Sequence, residues 1–357
     1  MSMRIGVYAI AKNEEQFVQS WYESAREADV LLIADTGSAD DTVAKARSLG
    51  ITVVELALSP FRFDDARNAS LAALPRDLDF VVALDLDEQL QPGWRTAIEN
   101  APTGATRLRY QYTWNWNEDG TPGLQYGGDK IHARHGYRWK HPVHEVAVKY
   151  DGPEVQAWVP LEIHHHADNS KPRSQYLPLL EMSVREDPHD DRNAFYLARE
   201  YFNYGMTDKA RTEFVRYLNL PTAAWEAERA AAFRYLAKCD PENADLMLQR
   251  ALNESPRREV LVDLAKHHHD RGEWEQCFEA ATAALNIHSK PLDYLCEDFA
   301  WGPAAADYAA VAAYWLGKYG EAVQYGQQAI DAAPQDERLI RNLSFYKEKV
   351  HGDIHSN

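Results

Sequence analysis

The chain has 357 residues, 45% of them hydrophobic and 26% charged, and this composition predicts a globular protein of about two domains. Its net charge of −17 comes without a basic stripe, which argues against a nucleic-acid partner. No apolar run approaches the ~18 residues that cross a bilayer and no signal-peptide pattern is present, so we predict no membrane insertion and a cytoplasmic location.

The first part of the chain alternates predicted strands with predicted helices. Apolar, β-branched segments predict strands at 4–11, 30–35, 52–56 and 80–84, and the segments between them have helical periodicity. This alternation predicts an α/β fold with a mainly parallel sheet and helices on both faces. From residue 106 a two-residue alternation predicts an antiparallel extension with strands at 107–114, 130–135, 143–148 and 155–164.

After residue 168 helical patterns continue to the end of the chain. Prolines at 221, 256 and 291 recur every 35 residues, a period typical of tetratricopeptide helix pairs, with turns predicted at Gly205, Gly272 and Gly317. The next proline predicted to close a helix pair, Pro334, follows 43 residues after Pro291, which indicates an insertion at 293–302. We predict one domain at 1–170 and an all-α repeat domain at 171–357, with a generic helical bundle as the alternative.

Acidic residues follow the fourth predicted strand. Asp85 and Asp87 form an Asp-x-Asp pair, and Glu88 comes next. Ligands bind at the ends of buried strands in an open α/β sheet, and two carboxylates there can hold a divalent cation against a diphosphate. A solvated turn is the alternative interpretation of so short a motif.

Polar segments follow the predicted strands at four places. They are residues 11–15 (Ala-Lys-Asn-Glu-Glu), 35–42 (Asp-Thr-Gly-Ser-Ala-Asp-Asp-Thr), 63–68 (Phe-Asp-Asp-Ala-Arg-Asn) and 85–88 (Asp-Leu-Asp-Glu). In this order and spacing they resemble the family-2 glycosyltransferases, which have the Rossmann-like GT-A fold. With the helical part included, the chain resembles the subgroup fused to tetratricopeptide repeats, some members of which glycosylate peptides or proteins.

The resemblance implies a nucleoside-diphosphate sugar as donor, with a UDP-sugar favoured. It assigns donor binding to Ala11, Asn13, Glu14, Glu15, Asp35, Arg67, Asp85 and Leu86. In the family, the loop after the first strand and the acid after the second hold the base and ribose, and the counterpart of the Arg67 segment faces the nucleotide. Helix capping is the alternative role for Glu14 and Glu15, and a solvated surface arginine is the alternative for Arg67.

The resemblance also implies a Mn²⁺ or Mg²⁺ ion. Asp87 matches the direct metal ligand of the family, and His144 matches a further ligand. His166 is a third candidate from the run at 164–166, in which alternate side chains share one face of a strand. Glu145, next to His144, is predicted either as the base or as a group that orients the histidine.

The predicted reaction is inverting transfer of the sugar to a polypeptide or protein acceptor that the repeats present. It needs a carboxylate that takes the acceptor proton and a cation that stabilises the departing diphosphate. Glu145 and Asp129 are the candidate bases, with Asp119 and the pair Glu297 and Asp298 as alternatives.

Other functions remain open at this stage. One is a tetratricopeptide scaffold with an inactive transferase domain. Another is a sugar nucleotidyltransferase, although residues 9–14 lack the glycine-rich phosphate loop that this activity needs. A homo-oligomer formed through the repeats is a further expected partner.

Overall fold

The computed structural model describes residues 3–168 and 176–354, which form two compact units, one ending at residue 187 and one beginning at residue 188. We call them the sheet unit and the helical unit. The predicted domain boundary between residues 170 and 171 lies outside the described residues.

The described part of the sheet unit contains ten strands and five helices. The strands are β1 Ile5–Ala11, β2 Val30–Asp35, β3 Thr52–Glu55, β4 Phe80–Ala83, β5 Glu88–Leu90, β6 Arg107–Thr113, β7 Gln125–Ala133, β8 Tyr137–Lys140, β9 Val146–Lys149 and β10 Gln156–His165. The helices are α1 Val18–Ala25, α2 Thr42–Ser48, α3 Phe63–Ala73, α4 Trp94–Glu99 and α5 Tyr176–Glu186.

Eight strands form one mixed sheet in the order β3, β2, β1, β4, β7, β6, β10, β5. The first four are parallel, as the alternation of strands and helices predicts. β7 is antiparallel to both β4 and β6, whereas β10 is parallel to β6, so the predicted extension is only partly antiparallel. β8, which was not predicted, pairs with β9 in a separate two-stranded sheet.

The strand directions bring several carboxyl ends to one edge of the sheet. β7 reverses the direction of β4, β6 reverses it again, and β10 follows β6. The strands that end at Ala11, Asp35, Ala83, Thr113 and His165 therefore all end at this edge, which we call the carboxyl edge. In open α/β sheets, ligands bind outside the carboxyl ends of the strands.

β7 begins at Gln125, five residues before its predicted start. A Cβ atom at Gly128 would overlap the ring of Tyr110, so only glycine lets the two strands pair here with that tyrosine buried between them. Ile131 pairs with Val82, which places Lys130 level with the end of β4. This register decides which side chain of β7 reaches the carboxyl edge.

Apolar cores cover both faces of the large sheet. Val7 of β1 belongs to a core that contains Trp21 of α1 and Trp94 of α4. Its neighbour Tyr8 points to the other face, into a core that contains α3 residues and Trp139 of the small sheet. Side chains alternate along a strand, so a strand that is apolar throughout is buried on both faces.

His132 on β7 is fully buried. Burial lowers the pKa of His132 from 6.5 to about 4; Arg107 and Arg134 also lower it, whereas Glu154 raises it. The unfolded chain takes up a proton on this side chain near pH 6.5, but the folded chain does not. The free energy of unfolding therefore falls as the pH falls from 6.5 towards 4, which is the sign expected for a buried neutral histidine.

We expect this histidine to account for about 2 kcal/mol of lost stability between pH 7 and pH 5. Urea unfolding of the wild type and of His132→Asn at both pH values measures the effect. Asparagine does not titrate, so the variant should show a smaller pH dependence over this interval. An equal pH dependence in the two proteins would contradict the assignment of His132 as the titrating group.

The described part of the helical unit contains ten α-helices and a short 3-10 helix at Pro241–Asn243, and eight of the α-helices pack as consecutive pairs. The ten α-helices are α6 Asp191–Asn203, α7 Thr207–Leu218, α8 Glu226–Cys239, α9 Ala244–Glu254, α10 Arg258–Asp270, α11 Trp274–Leu285, α12 Asp298–Trp301, α13 Ala304–Trp315, α14 Tyr319–Ala332 and α15 Glu337–Ile354. The pairs are α6 with α7, α8 with α9, α10 with α11, and α13 with α14, and α15 packs on α14. No helix of the described chain is long and apolar enough to cross a membrane.

Glycines make three of the turns within these pairs. Gly205, Gly272 and Gly317 have φ angles of +69°, +69° and +74° and lie where the repeat pattern predicts turns. This left-handed conformation favours glycine just after a helix end. The helical unit therefore has the paired-helix organisation that a tetratricopeptide pattern predicts.

The predicted insertion at 293–302 is attached to the helices of its own unit. Arg257 holds Asp293 at 2.8 Å, and Arg234 of α8 holds Glu297 at 2.6 Å. Asp298, at the start of α12, lies 3.2 Å from Lys290. The carboxylates of Glu297 and Asp298, which were alternative catalytic bases, thus have cationic partners within the helical unit.

Candidate active site

The loops that follow β1 and β2 hold each other at the carboxyl edge. The backbone N–H of Asn13 donates to Ser38 Oγ at 2.8 Å, and the N–H of Ala39 donates to Asn13 Oδ1 at 2.7 Å. Asn13 has a φ of +54°, a left-handed conformation that asparagine tolerates better than most residues. The structure thus places Asn13 at the junction of the two loops.

Asp35 and Glu15 also hold this pair of loops. The buried carboxylate of Asp35 accepts hydrogen bonds from the backbone of Gly37 and Ser38, each at 3.0 Å. Glu15 Oε2 accepts from the N–H of Asp41 at 3.0 Å. These contacts fix the loop shape, and each acid already accepts a hydrogen bond from the loop backbone. A role of Glu15 and Asp35 beside the base and ribose stays a prediction.

Three further residues that were predicted to bind the donor are buried. They are Ala11, Glu14 and Leu86. The carbonyl of Ala11 accepts from Thr36 N at 2.8 Å. The side chain of Leu86 lies in the core around Trp21, so only its backbone faces the edge.

Arg67 of α3 lies between two carboxylates. Its Nη2 is 2.7 Å from Asp85 Oδ1 and its Nε is 2.6 Å from Glu145 Oε1, while the guanidinium lies over the ring of Trp139 at 5.1 Å. Arg67 is only 3% exposed, so the alternative of a solvated surface arginine is wrong. The arginine holds Asp85, after β4, and Glu145, before β9, beside one another.

Lys130 of β7 supplies a second cation. Its Nζ lies 2.7 Å from Asp85 Oδ2 and 3.0 Å from Glu88 Oε1. Burial alone would raise the pKa of Asp85, but Arg67 and Lys130 outweigh it and hold that pKa well below its ordinary value. Burial raises the pKa of Glu88, with Lys130 opposing. We call Arg67, Asp85, Glu88, Lys130 and Glu145 the charge cluster.

No sequence pattern predicted Lys130, because nothing around it resembles a motif. Its place follows from the antiparallel pairing of β7 with β4, which brings Lys130 to Asp85, 45 positions away in the chain. The one available signal was a lysine in an otherwise strand-like segment. Sequence alone does not state which strands are neighbours.

Asp87 faces a histidine at the end of β10. Its Oδ2 lies 3.3 Å from Nε2 of His165, and Nδ1 of the same ring lies 2.8 Å from the carbonyl oxygen of Trp114. A carbonyl and a carboxylate are both acceptors, so this arrangement favours the imidazolium, in which both ring nitrogens carry protons. Burial lowers the pKa of His165, but Asp87 outweighs it and raises that pKa.

The other histidines of the run take different positions. His164 Nε2 lies 3.2 Å from Glu162 Oε2, and the exposed ring of His166 stacks with Trp116 at 6.2 Å. The backbone N–H of His166 donates to the carbonyl of Asp87 at 2.7 Å. The imidazole that reaches the Asp87 carboxylate is therefore that of His165, whereas His166 as a metal ligand stays a prediction.

Two further predicted residues lie in different surroundings. His144, in the loop between β8 and β9, has a φ of +50°, and its ring lies 6.0 Å from that of Tyr176. Asp129 precedes Lys130 on β7 and so points to the opposite face of the sheet, where it lies 3.6 Å from Arg107. The structure brings Glu145 into the charge cluster and places Asp129 outside it.

The side chains at the carboxyl edge can supply only part of the ligand shell of a divalent cation. Among residues 3–168 and 176–354, no three His, Cys, Asp or Glu side chains are arranged to hold one metal ion. Magnesium sites beside nucleotides commonly use one or two carboxylates and complete the shell with phosphates and waters. Asp87, with His165 beside it, provides a carboxylate of that kind.

Comparisons with known proteins give partial matches. No family model matches the chain. Similar solved structures include MamA, 17% identical over 45% of this chain and 83% of that chain with a TM-score of 0.35. The TPR protein YrrB, described as having an unusual peptide-binding site, is 17% identical over 48% and 82% with a TM-score of 0.36.

A third similar structure is glucosyl-3-phosphoglycerate synthase from Mycobacterium tuberculosis. It is 27% identical over 31% of this chain and 44% of that chain, with a TM-score of 0.26. All three TM-scores are below 0.5.

Proposed function

We propose that this chain is a metal-dependent, inverting glycosyltransferase that moves a sugar from a nucleoside-diphosphate sugar, a UDP-sugar foremost, to a polypeptide or protein acceptor. The observation that supports it most is the position of Asp87, with His165 beside it, next to the charge cluster at the carboxyl edge. Charged groups of both signs with fixed partners at the carboxyl ends of strands suit a charged phosphate ligand better than a structural core.

The order of strands suggests how the donor lies. The loops after β1 and β2, held together through Asn13 and Asp35, would take the base and ribose. β4 is the next strand on the other side of β1, so a diphosphate attached to that ribose extends towards Asp87. A Mn²⁺ or Mg²⁺ ion at Asp87 would supply charge stabilisation of the departing diphosphate.

The charge cluster orients the groups around this position. Arg67 and Lys130 keep Asp85 ionised and fixed, because each cation contacts a different oxygen of its carboxylate. The contact from Arg67 Nε also fixes Glu145, and we propose Glu145 as the base that takes the acceptor proton. His165 holds the carboxylate of Asp87 in place through Nε2.

The acceptor we propose is a polypeptide bound by the helical unit, whose paired helices are a common form of peptide-binding array. Mass spectrometry of synthetic peptides incubated with the full chain and donor would show a gain of one sugar residue. Transfer to free sugars but to no peptide would contradict this acceptor class. Association of copies of this chain into a homo-oligomer through the same helices stays a prediction.

The experiment that tests the function is calorimetric binding of UDP, GDP and dTDP, and of their common sugar conjugates, to the full chain with and without Mn²⁺. We expect one nucleotide to bind, and Mn²⁺ to tighten that binding about tenfold or more, since the ion neutralises the diphosphate charge beside Asp87. Binding of no nucleotide under either condition would contradict the proposal and favour the scaffold alternative.

A further inference from the structure

An exposed tryptophan lies beside the candidate active site without a role in the function proposed above. Trp114 follows β6 at the carboxyl edge and is 37% exposed. Its ring stacks on the imidazole of His165, with the centroids 4.4 Å apart and the planes at 20°. One imidazole therefore separates the exposed ring of Trp114 from the carboxylate of Asp87.

Single exposed aromatic side chains are common on protein surfaces, so exposure by itself indicates nothing. What distinguishes Trp114 is that its position is fixed from several sides. Its carbonyl oxygen holds Nδ1 of His165 at 2.8 Å, its N–H donates to the carbonyl of Leu124 at 2.9 Å, and its ring lies 6.4 Å from that of Tyr112. A rigid aromatic face pays little entropy when a ligand stacks on it.

The order of strands places this face on one particular side of the donor. In the donor position proposed above, the base and ribose would lie at β1 and β2 and the diphosphate at β4. Trp114 lies at the end of β6, on the side of β4 away from β1. Neighbouring strands are about 4.8 Å apart, so β6 lies about 10 Å beyond β4. The group attached to the distal phosphate of a nucleotide sugar bound in this way extends into the space between β4 and β6.

We infer that Trp114 is the platform on which the sugar ring of the nucleotide-sugar donor stacks. The inference rests on the proposed function and adds to it a binding subsite and its ligand class, a pyranose. One face of a pyranose presents C–H groups, which pack against the negative face of an aromatic ring, while its hydroxyl groups point outward to polar partners. The ring of Trp114 thus orients the sugar, and the charged groups near Asp87 bind the diphosphate.

The test is the difference in affinity between a nucleotide and its sugar conjugate. Calorimetry with Mn²⁺ would compare UDP with UDP-glucose, and GDP with GDP-mannose, on the full-length wild type and on Trp114→Ala. The advantage that the sugar confers is the ratio of the affinity for the sugar conjugate to that for the nucleotide. We expect Trp114→Ala to lower this ratio about tenfold and to leave the affinity for the nucleotide alone unchanged. Trp114→Phe, which keeps an aromatic face, should retain part of that advantage.

A matched control comes from the same unit. Trp158, on β10, is 52% exposed and lies near the amino end of that strand, opposite to His165. Trp158→Ala removes an exposed tryptophan away from the carboxyl edge and should leave both affinities unchanged. The backbone carbonyl that holds His165 is present in Trp114→Ala, so loss of that contact is not the expected cause of the effect.

The outcomes separate this inference from the proposed function. If nucleotides bind but the sugar adds no affinity, or if Trp114→Ala keeps the full advantage of the sugar, the platform is refuted while the nucleotide site stands. An equal loss in Trp158→Ala would also overturn it. If no nucleotide binds to the wild type, the proposed function fails and this inference fails with it.

Discussion

Asp87→Asn is expected to abolish metal-dependent nucleotide binding and leave the fold intact. Asp87 is the carboxylate that would hold the cation, and an amide of the same shape lacks its charge. We expect the affinity measured with Mn²⁺ to fall about tenfold, to the value measured without the ion, which corresponds to about 1.4 kcal/mol. The side chain is 19% exposed, and asparagine can still accept a hydrogen bond from His165, so the free energy of unfolding should change by less than about 1 kcal/mol.

Calorimetry with and without Mn²⁺ measures the binding, and urea unfolding measures the stability. The control is Asp77→Asn, which neutralises a 68% exposed aspartate that pairs with Arg4 near the amino end of β1, away from the carboxyl edge. It should bind as the wild type does. Metal-dependent binding of normal strength in Asp87→Asn would show that the cation is held elsewhere.

Arg67→Met is expected to destabilise the sheet unit strongly. The substitution removes a buried cation that pairs with the carboxylates of Asp85 and Glu145. Asp85 keeps its contact with Lys130. Breaking a buried ion pair by removing one partner costs about 3–5 kcal/mol, because the remaining charge is left poorly compensated. Urea unfolding should show a loss of this size.

Two further variants sharpen this prediction. Arg67→Met combined with Glu145→Gln should recover part of the loss, since it removes one of the two carboxylates left without their arginine. Arg47→Met breaks the exposed pair of Arg47 with Glu55, in which both side chains are more than half exposed, and should cost at most about 0.5 kcal/mol. A similar cost in Arg47→Met and Arg67→Met would contradict the buried network.

The same contacts explain why site prediction from sequence was incomplete. Asp85 and Asp87 were recognised because they follow a strongly apolar strand, a pattern that the neighbouring residues of the chain show by themselves. Arg67 was identified, but its contact with two carboxylates was not, because Glu145 is 78 positions away. His144 and His166 were predicted as metal ligands and stay predictions, whereas the contact of His165 with Asp87, which depends on the pleat of β10, was not predicted.

Local sequence patterns were enough to predict the alternation of strands and helices up to β4, the turns of the helix pairs at Gly205, Gly272 and Gly317, and the acidic residues that follow β4 at Asp85 and Asp87. These features depend on periodicity and turn chemistry among residues close in the chain. The mixed sheet and the charged groups at its carboxyl edge became visible in the folded chain. Strand order and register bring distant residues together, and hydrophobic pattern does not specify which strands pair.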